Sequence, residues 1–387
     1  GAGIGGGEVV YNGPADGVVL AENSLTADYL TGRKRIEVPK RRRASAGVVR
    51  VRGARHNNLK NIDVEIPIGV LTCITGVSGS GKSSLADDVL FPALKRILSE
   101  TTLIPGDHDG VDVDKHLLQS VEMVPQSPIG KSTRSNPVTY IKAYDEIRKL
   151  FADQPYSKHN GIGAAAFSFN VPGGRCEECE GEGVIKVSMQ FMADVELQCE
   201  ACGGMRFKSE ILDVKYRDKN IYDILNMSVD EALEFFAADA SNTTCKRIVE
   251  RIRPLQQVGL GYVKLGQSSS TLSGGESQRV KLASFLTKER SDERVMFIFD
   301  EPTTGLHFHD IGRLLGAFNA LIERGHTVVV VEHNMEVIKC ADHIIDLGPE
   351  GGDGGGTLVA CGTPEQVMAC EASYTGQYLK KILGIKD

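Results

Sequence analysis

The chain has no run of roughly 18 apolar residues, so no segment is long enough to cross a membrane as a helix, and no membrane partner is expected. Positive charge is also scarce. Lys and Arg total 44 against 51 Asp and Glu, a formal net charge of −7, which removes any global attraction to nucleic acid. Binding of that kind would need a local basic surface. No secretory signal is visible, but the chain opens with Gly1 rather than Met, which reads as a cut end, so the lack of a signal excludes little. Cysteines number nine, an odd count. Four have the spacing of a metal site, while Cys73, Cys245, Cys340, Cys361 and Cys370 are scattered; this fits a reducing cytoplasm better than a disulfide framework. At 387 residues, 41% apolar and 25% charged, the composition is that of a soluble globular protein with room for two or three domains.

The stretch around which the chain is organised is Gly76-Val-Ser-Gly-Ser-Gly-Lys82-Ser83, which matches G-x-x-x-x-G-K-[ST] at every fixed position. Apolar Val70-Leu-Thr-Cys-Ile74 precedes it as a buried strand, and a helix is expected from Lys82 to about Ile97. Glycines there let backbone N–H groups curl round a phosphate, and the helix presents its positive end to it. The expected nucleotide contacts are Gly76, Ser78, Gly79, Gly81, Lys82, Ser83 and Ser84. Lys82 would reach the outer phosphates of ATP and the Ser83 hydroxyl would join the shell of Mg²⁺. An ordinary Gly/Ser turn is the plainer alternative, disfavoured by the full match in a strand-to-helix setting.

The chain also contains an internal repeat. Gly5-Gly-Gly-Glu-Val-Val-Tyr-Asn-Gly13 followed by Leu25-Thr-Ala-Asp-Tyr-Leu30 aligns without a gap to Gly354–Gly362 followed by Tyr374–Leu379, at a constant offset of 349 residues. Repeats of this kind report duplicated units, so the opening reads as the tail of an earlier copy of the domain that ends the chain. The chain is then expected to be the C-terminal half of a tandem protein. A basic run, Arg33-Lys-Arg35 and Lys40-Arg-Arg-Arg43, reads as a solvated linker, with a nucleic-acid patch as the alternative. Alternating apolar residues from Val48 to Ile66 predict paired strands.

A short strand, Val121–Val124, leads to Gln126, and beyond it the stretch Ile129–Tyr140 is basic and hydroxyl-rich, before an amphipathic helix from about Tyr140 to Phe151. Lys131, Arg134 and Lys142, with an extension to Lys149, make this a candidate face for duplex DNA phosphates, against the plainer reading of a polar loop. Next come Cys176-Glu-Glu-Cys179 and Cys199-Glu-Ala-Cys202, with a short hairpin expected between them over Val184 to Leu197. Two C-x-x-C pairs can place four thiolates at the corners of a tetrahedron, which suits a structural Zn²⁺; the doubled spacing disfavours a redox dithiol.

Helices are expected at Val229–Phe236 and Thr244–Val258. Leu272-Ser273-Gly-Gly275-Glu276 then opens another, with Ser273 and Glu276 at capping-box spacing, and its N-terminus can offer backbone N–H groups to an anion. Val295–Phe299 is an apolar strand ending in Asp300-Glu301, where one carboxylate can hold Mg²⁺ through water and the next can orient an attacking water. Thr327–Val331 is another, ending at Glu332-His333, at the strand end where ligands bind in open α/β sheets.

Together these parts resemble an ATP-binding-cassette ATPase, and nearly the whole chain resembles the UvrA family, the damage-sensing subunit of bacterial nucleotide excision repair. The resemblance rests on Gly76–Ser83, Gln126-Ser-Pro-Ile-Gly, Arg134-Ser-Asn-Pro, Phe167-Ser-Phe-Asn170, Gly173-Gly-Arg-Cys176, both cysteine pairs, Leu272–Arg279, Asp300–His307, Glu332-His-Asn and Asp346-Leu-Gly-Pro-Glu-Gly. It implies an α/β fold: an ABC-type ATPase lobe with an inserted, mostly helical signature lobe and a zinc-binding module. It implies Gln126 as the Q-loop glutamine, Asp300 as the metal carboxylate, Glu301 as the catalytic base and His333 as the switch histidine. Ser273 and Gly275 would close over an ATP held by the opposite cassette. Further implications are ATP-dependent binding of duplex DNA, a missing N-terminal cassette half, a homodimer of the full-length protein, and an excision-repair helicase subunit as partner, contacted mainly through the absent half. The expected layout is a preceding tail and linker over 1–46, the ATP-binding lobe over 47–130 and 291–387, and the signature lobe over 131–290, with the zinc module at about 170–210. Ala164-Ala-Ala166, Met205, Phe207 and Ile141-Lys142 depart from the family pattern and raise a divergent paralogue, serving drug tolerance, as an alternative. A transporter or ribosome-associated ATPase would not carry the four-cysteine insert.

Overall fold

Continuous apolar runs become the central strands of the sheet because helices and a second sheet bury both of their faces. The computed structural model describes residues 6–99, 101–130, 134–187, 195–287 and 293–383. They group into two units, one made of the described residues of 1–7 and 127–287 and one made of those of 8–126 and 288–387.

In the second of these, β1 (Gly47–Ala54), β2 (Ile62–Ile68), β3 (Leu71–Gly76), β4 (Gly110–Asp112) and β5 (Ser120–Val124) come before the insertion. The antiparallel sheet β2-β1-β4 is built from alternating strands: Ile62, Val64, Ile66 and Ile68 point inward while Asp63 and Glu65 are exposed. β8 (Val295–Asp300), β9 (Thr327–Val331), β10 (His343–Gly348) and β11 (Thr357–Gly362) follow the insertion and complete a six-stranded sheet of order β11-β10-β3-β9-β8-β5. All its pairings are parallel except the edge pair β10–β11. β9, Thr-Val-Val-Val-Val, is buried at every position. The segment after the phosphate loop lies between the two sheets: Leu85, Val89, Leu90 and Leu94 pack in one core with Val49, Ile66, Ile74, Ile298 and Val329.

That segment differs from the single α-helix expected. Ser84–Leu90 is a π-helix and Phe91–Ser99 continues as α-helix. A widened turn of this type carries no signature in residue pattern, and such turns recur at functional sites.

The basic run stays exposed at its start and is tied to the fold at its end. Arg33 and Lys34 pair with Asp28, Arg35 with Glu37, Arg42 with Glu365, and Arg43 with the buried Asp342. The repeat is kept in one part and lost in another. Helices Leu25–Leu30 and Tyr374–Leu383 match, and the caps match too: the Ser24 hydroxyl accepts from Ala27 N, as Ser373 accepts from Gly376 N. β11 is a strand because β10 pairs with it, whereas its counterpart over 8–13 has no partner strand among the described residues.

The unit within 127–287 is mainly helical, with helices at Ala143–Ala152, Val229–Ala237, Thr243–Gln257 and Gly274–Thr287 and a hairpin of β6 (Val184–Val187) and β7 (Val195–Gln198). Tyr144, Phe151, Phe167, Phe169 and Phe207 form its aromatic core. The helix expected from Tyr140 is split in two. Asn136 caps a short turn at Pro137–Tyr140, and Lys142, at φ 59°, re-aims the chain before Ala143–Ala152.

In the sheet-containing unit, one buried carboxylate ties the C-terminal helix to the strand of the phosphate loop. Asp346, 3% exposed, accepts from the hydroxyls of Thr75, Ser373 and Thr375 at 2.6–2.7 Å. Asp346→Ala would strand these donors and is expected to destabilise the unit by about 2–4 kcal/mol, since bonds to charged groups count for more than neutral ones. Urea unfolding of the two proteins checks this.

Candidate nucleotide site and cysteine cluster

Parallel pairing puts the carboxyl ends of β3, β8 and β9 on one edge of the sheet: Gly76 is level with Leu347, Ile74 with Val331, and Val331 with Asp300. The phosphate loop leaves β3 at this edge. Gly76 has φ 134°, and a Cβ there would lie 2.0 Å from the Leu347 carbonyl oxygen, so only glycine fits. Gly79 and Gly81 also have positive φ, while Ser78 and Ser83 are exposed. Lys82 folds back onto its own loop, donating to the carbonyls of Val77 at 2.8 Å and Gly76 at 3.2 Å. Burial pulls its ammonium below the usual lysine range, against the opposing pull of Glu301 and Asp300. Asn57 and Asn58, from the turn between β1 and β2, brace this loop. Asn57 donates to the Ser84 hydroxyl at 2.9 Å, and Asn58 to the Gly79 carbonyl at 2.8 Å.

The carboxylates stand at the end of β8. Burial pushes the Asp300 carboxyl up, and neighbouring Glu301 pushes it further. Asp87, on the π-helix, is pushed up to about 6 by burial, then by Asp300 and Asp88. Its Oδ1 is buried without a hydrogen-bond partner among the described residues. An orphaned carboxylate oxygen near Asp300 is the donor chemistry that a hard divalent cation satisfies, so these residues fit Mg²⁺. Glu301 itself has φ 41°, a costly conformation for a non-glycine residue, and its amide is held by the Val331 carbonyl at 2.9 Å. The Gln126 side-chain amide donates to the backbone carbonyls of Glu301 at 3.1 Å and Asp300 at 3.4 Å. His333 Nε2 lies 3.4 Å from Glu301 Oε1. Gln126, the adjacent pair Asp300-Glu301, and His333, three places far apart in sequence, are thus drawn together.

Ser273 and Gly275 belong to the other unit. Ser273 caps its helix reciprocally with Glu276, whose second oxygen accepts from Tyr262 at 2.5 Å. Glu276 is fully engaged within its own fold, leaving Ser273 exposed beside the helix start.

The four cysteines Cys176, Cys179, Cys199 and Cys202 are buried, and their sulfurs lie within 4.8 Å of one another. The Cys176–Cys199 and Cys179–Cys202 sulfur distances are 3.9 and 3.7 Å. A tetrahedral zinc with bonds of about 2.3 Å has edges of about 3.8 Å, so the cluster fits that ion. Gly181, at φ 83°, makes the approach possible, because a Cβ there would meet the Phe169 carbonyl at 2.6 Å.

The candidate DNA residues fare unequally. Lys131 lies outside the described residues. Arg134 pairs with Glu180 at 2.9 Å and Glu182 at 3.7 Å on the acidic first knuckle, and Lys149 pairs with the buried Glu146. Lys142 is exposed at its left-handed turn and makes no ion pair among the described residues. Residue pattern alone missed Asn57, Asn58 and Asp87; the Asn-Asn turn before a strand was the available signal for the first two.

No family model matches the chain. It is 50% identical over 384 residues to UvrABC system protein A of Clostridium perfringens and 51% identical over 385 residues to that of Staphylococcus epidermidis, covering 99% of this chain and 40% of each relative. The crystal structure of UvrA2 from Deinococcus radiodurans has a TM-score of 0.89 at 43% identity, over 98% of this chain and 45% of that one. The chain therefore spans less than half the length of these relatives. What it matches, over nearly its whole length, is one half of a UvrA protein.

Proposed function

We propose that this chain is the C-terminal, ATP-hydrolysing half of the DNA damage-recognition subunit of nucleotide excision repair. The observation that carries this reading is the gathering of Lys82, Asp300, Glu301, His333 and Gln126 at one strand edge, in a chain that also holds a four-cysteine cluster. In this reading Lys82 and the loop amides bind the phosphates of ATP. Ser83 and Asp300 would hold Mg²⁺, which offsets phosphate charge. Glu301, poised against His333, orients the attacking water. Ser273 and Gly275 act on an ATP held by a second cassette, so each active site is composite. The partners are the N-terminal half, a second full-length copy, duplex DNA, and a helicase subunit contacted mainly through the other half, in the cytoplasm.

A composite site has a kinetic consequence. Without the donors of a second cassette the chain should bind ATP but turn it over slowly, since loss of one preorganised donor costs roughly 10²–10³ in rate. Joining the first half should restore turnover, and Glu301→Gln should then abolish it while leaving ATP affinity intact. Concentration-independent, full activity of the lone chain would contradict the composite site.

Zinc at the cysteine cluster would be structural, because all four positions are protein thiolates. Burial holds the Cys202 thiol at about 12, so binding must displace its proton, and affinity should fall as pH falls. Cys199→Ser is expected to lose the zinc found by elemental analysis and to unfold the hairpin region, with MgATP binding retained. Wild-type protein that purifies without zinc would remove this assignment.

For DNA, the pairing of Arg134 and Lys149 leaves Lys142, with Lys131, as the residues to test. Lys142→Glu in the full-length protein is expected to weaken duplex binding and to lower the salt slope by about 0.9, the share of one neutralised phosphate. Arg134→Glu should instead disturb the cysteine knuckle. An unchanged slope for Lys142→Glu would move the DNA path elsewhere.

A further inference from the structure

Glu332, adjoining the switch histidine, is only 2% exposed, and its carboxylate makes no ion pair among the described residues. It accepts four hydrogen bonds. Oε1 takes the Thr303 amide at 3.0 Å and the Thr303 hydroxyl at 2.6 Å; Oε2 takes the amides of His333 at 2.8 Å and Asn334 at 2.9 Å. Its own amide donates to Ile74 in β3 at 3.1 Å. One residue therefore joins three segments at the strand edge: the end of the phosphate-loop strand, the turn following Glu301, and the loop carrying His333.

We propose that Glu332 is a positioning residue for hydrolysis, a clamp that fixes the Glu301 turn against His333. Glu301 sits in a left-handed conformation two residues before Thr303, and Thr304 N closes the turn on the Glu301 carbonyl at 3.2 Å. A strained residue persists only when its surroundings over-determine it. The Val331 carbonyl holds the turn at its start, and Glu332 holds it at Thr303. The same carboxylate fixes the backbone that aims His333 at Glu301. Burying a carboxylate without a cation is costly unless every lone pair is used. Here both oxygens are used twice, on both sides of the His333–Glu301 contact.

Glutamine cannot reproduce this arrangement, because its NH₂ end must face donors on one side or the other. Turned toward Thr303, it leaves the His333 side intact but sets its NH₂ against the Thr303 amide; the rotatable hydroxyl can re-pair by accepting, the amide cannot, and the Glu301 turn loosens. The inference rests on the proposed ATPase reading. It is tested in the full-length protein by steady-state hydrolysis and by equilibrium binding of a fluorescent ATP analogue. Glu332→Gln is expected to lower kcat by roughly 10²-fold, the cost of a misplacement near 1 Å, with KM and analogue affinity within about twofold of wild type. Combined with Glu301→Gln it should cost no more than Glu301→Gln alone, because both act on one step. Thr303→Val, which removes one of the four bonds, should lower kcat by about tenfold and keeps the test open if Glu332→Gln does not fold. Unchanged kcat in folded Glu332→Gln or Thr303→Val, or a loss of kcat matched by a loss of ATP affinity, would overturn the clamp. A wild-type protein that binds ATP without hydrolysing it, or a Glu301→Gln variant with the wild-type rate, would overturn the ATPase reading and the clamp with it.

Discussion

The parallel pairing of β3 with β9 and β10, and of β9 with β8, is the constraint on which the site depends. Gln126 reaches the Asp300 and Glu301 carbonyls, and His333 reaches the Glu301 carboxylate, because these strands, with β5 beside β8, run in the same direction and end level with one another. A shift of the β8–β9 register by one residue would move Glu301 away from His333. Both strands are apolar and buried on both faces, so their own residue pattern does not fix that register; the bonds at their ends, from the Glu301 amide to the Val331 carbonyl and from Thr303 to the Glu332 carboxylate, do.

Around this frame, polar groups do work that apolar packing cannot. Asp342 binds both the amide of Leu71, at the start of β3, and Arg43 of the basic segment. Asp346, four residues on, binds Thr75 and the start of the C-terminal helix. Glu332 does the equivalent at the end of β9. Three buried carboxylates thus set the loops at both ends of the central strands, and each is satisfied by donors rather than neutralised by burial alone. Asp87, at the nucleotide edge, lacks that satisfaction at Oδ1, and burial and its acidic neighbours raise its affinity for a proton. An unmet demand for positive charge lies where a cation and phosphate would be bound.

Much of this was legible in the sequence, for reasons of distance along the chain. The phosphate loop, the paired cysteines and the acidic ends of apolar strands are short, contiguous patterns whose chemistry survives without the fold. The strands β1, β2, β8 and β9 followed from apolar alternation or continuity. Features that need residues from remote segments were not legible. The π-turn after Ser83 leaves no signature in the residue pattern. The bonds of Asn58 to the phosphate loop need the β1–β2 turn to fold over it. Arg134 read as a free cation, yet the knuckle brings Glu180 and Glu182 to it from a segment remote in sequence. Glu332 was visible as part of a motif, but nothing in its neighbours shows that its carboxylate spans two loops.

In the proposed reading nucleotide binds at the β3 edge, on Lys82 and the loop that Gly76 opens. Titration calorimetry with MgATP tests it most directly, using the wild-type chain and Lys82→Ala with its fold checked by circular dichroism. One ATP site per chain is expected in the wild type, and loss of that binding in Lys82→Ala. ATP binding that survives Lys82→Ala unchanged, or a folded wild-type chain that binds no ATP, would contradict it.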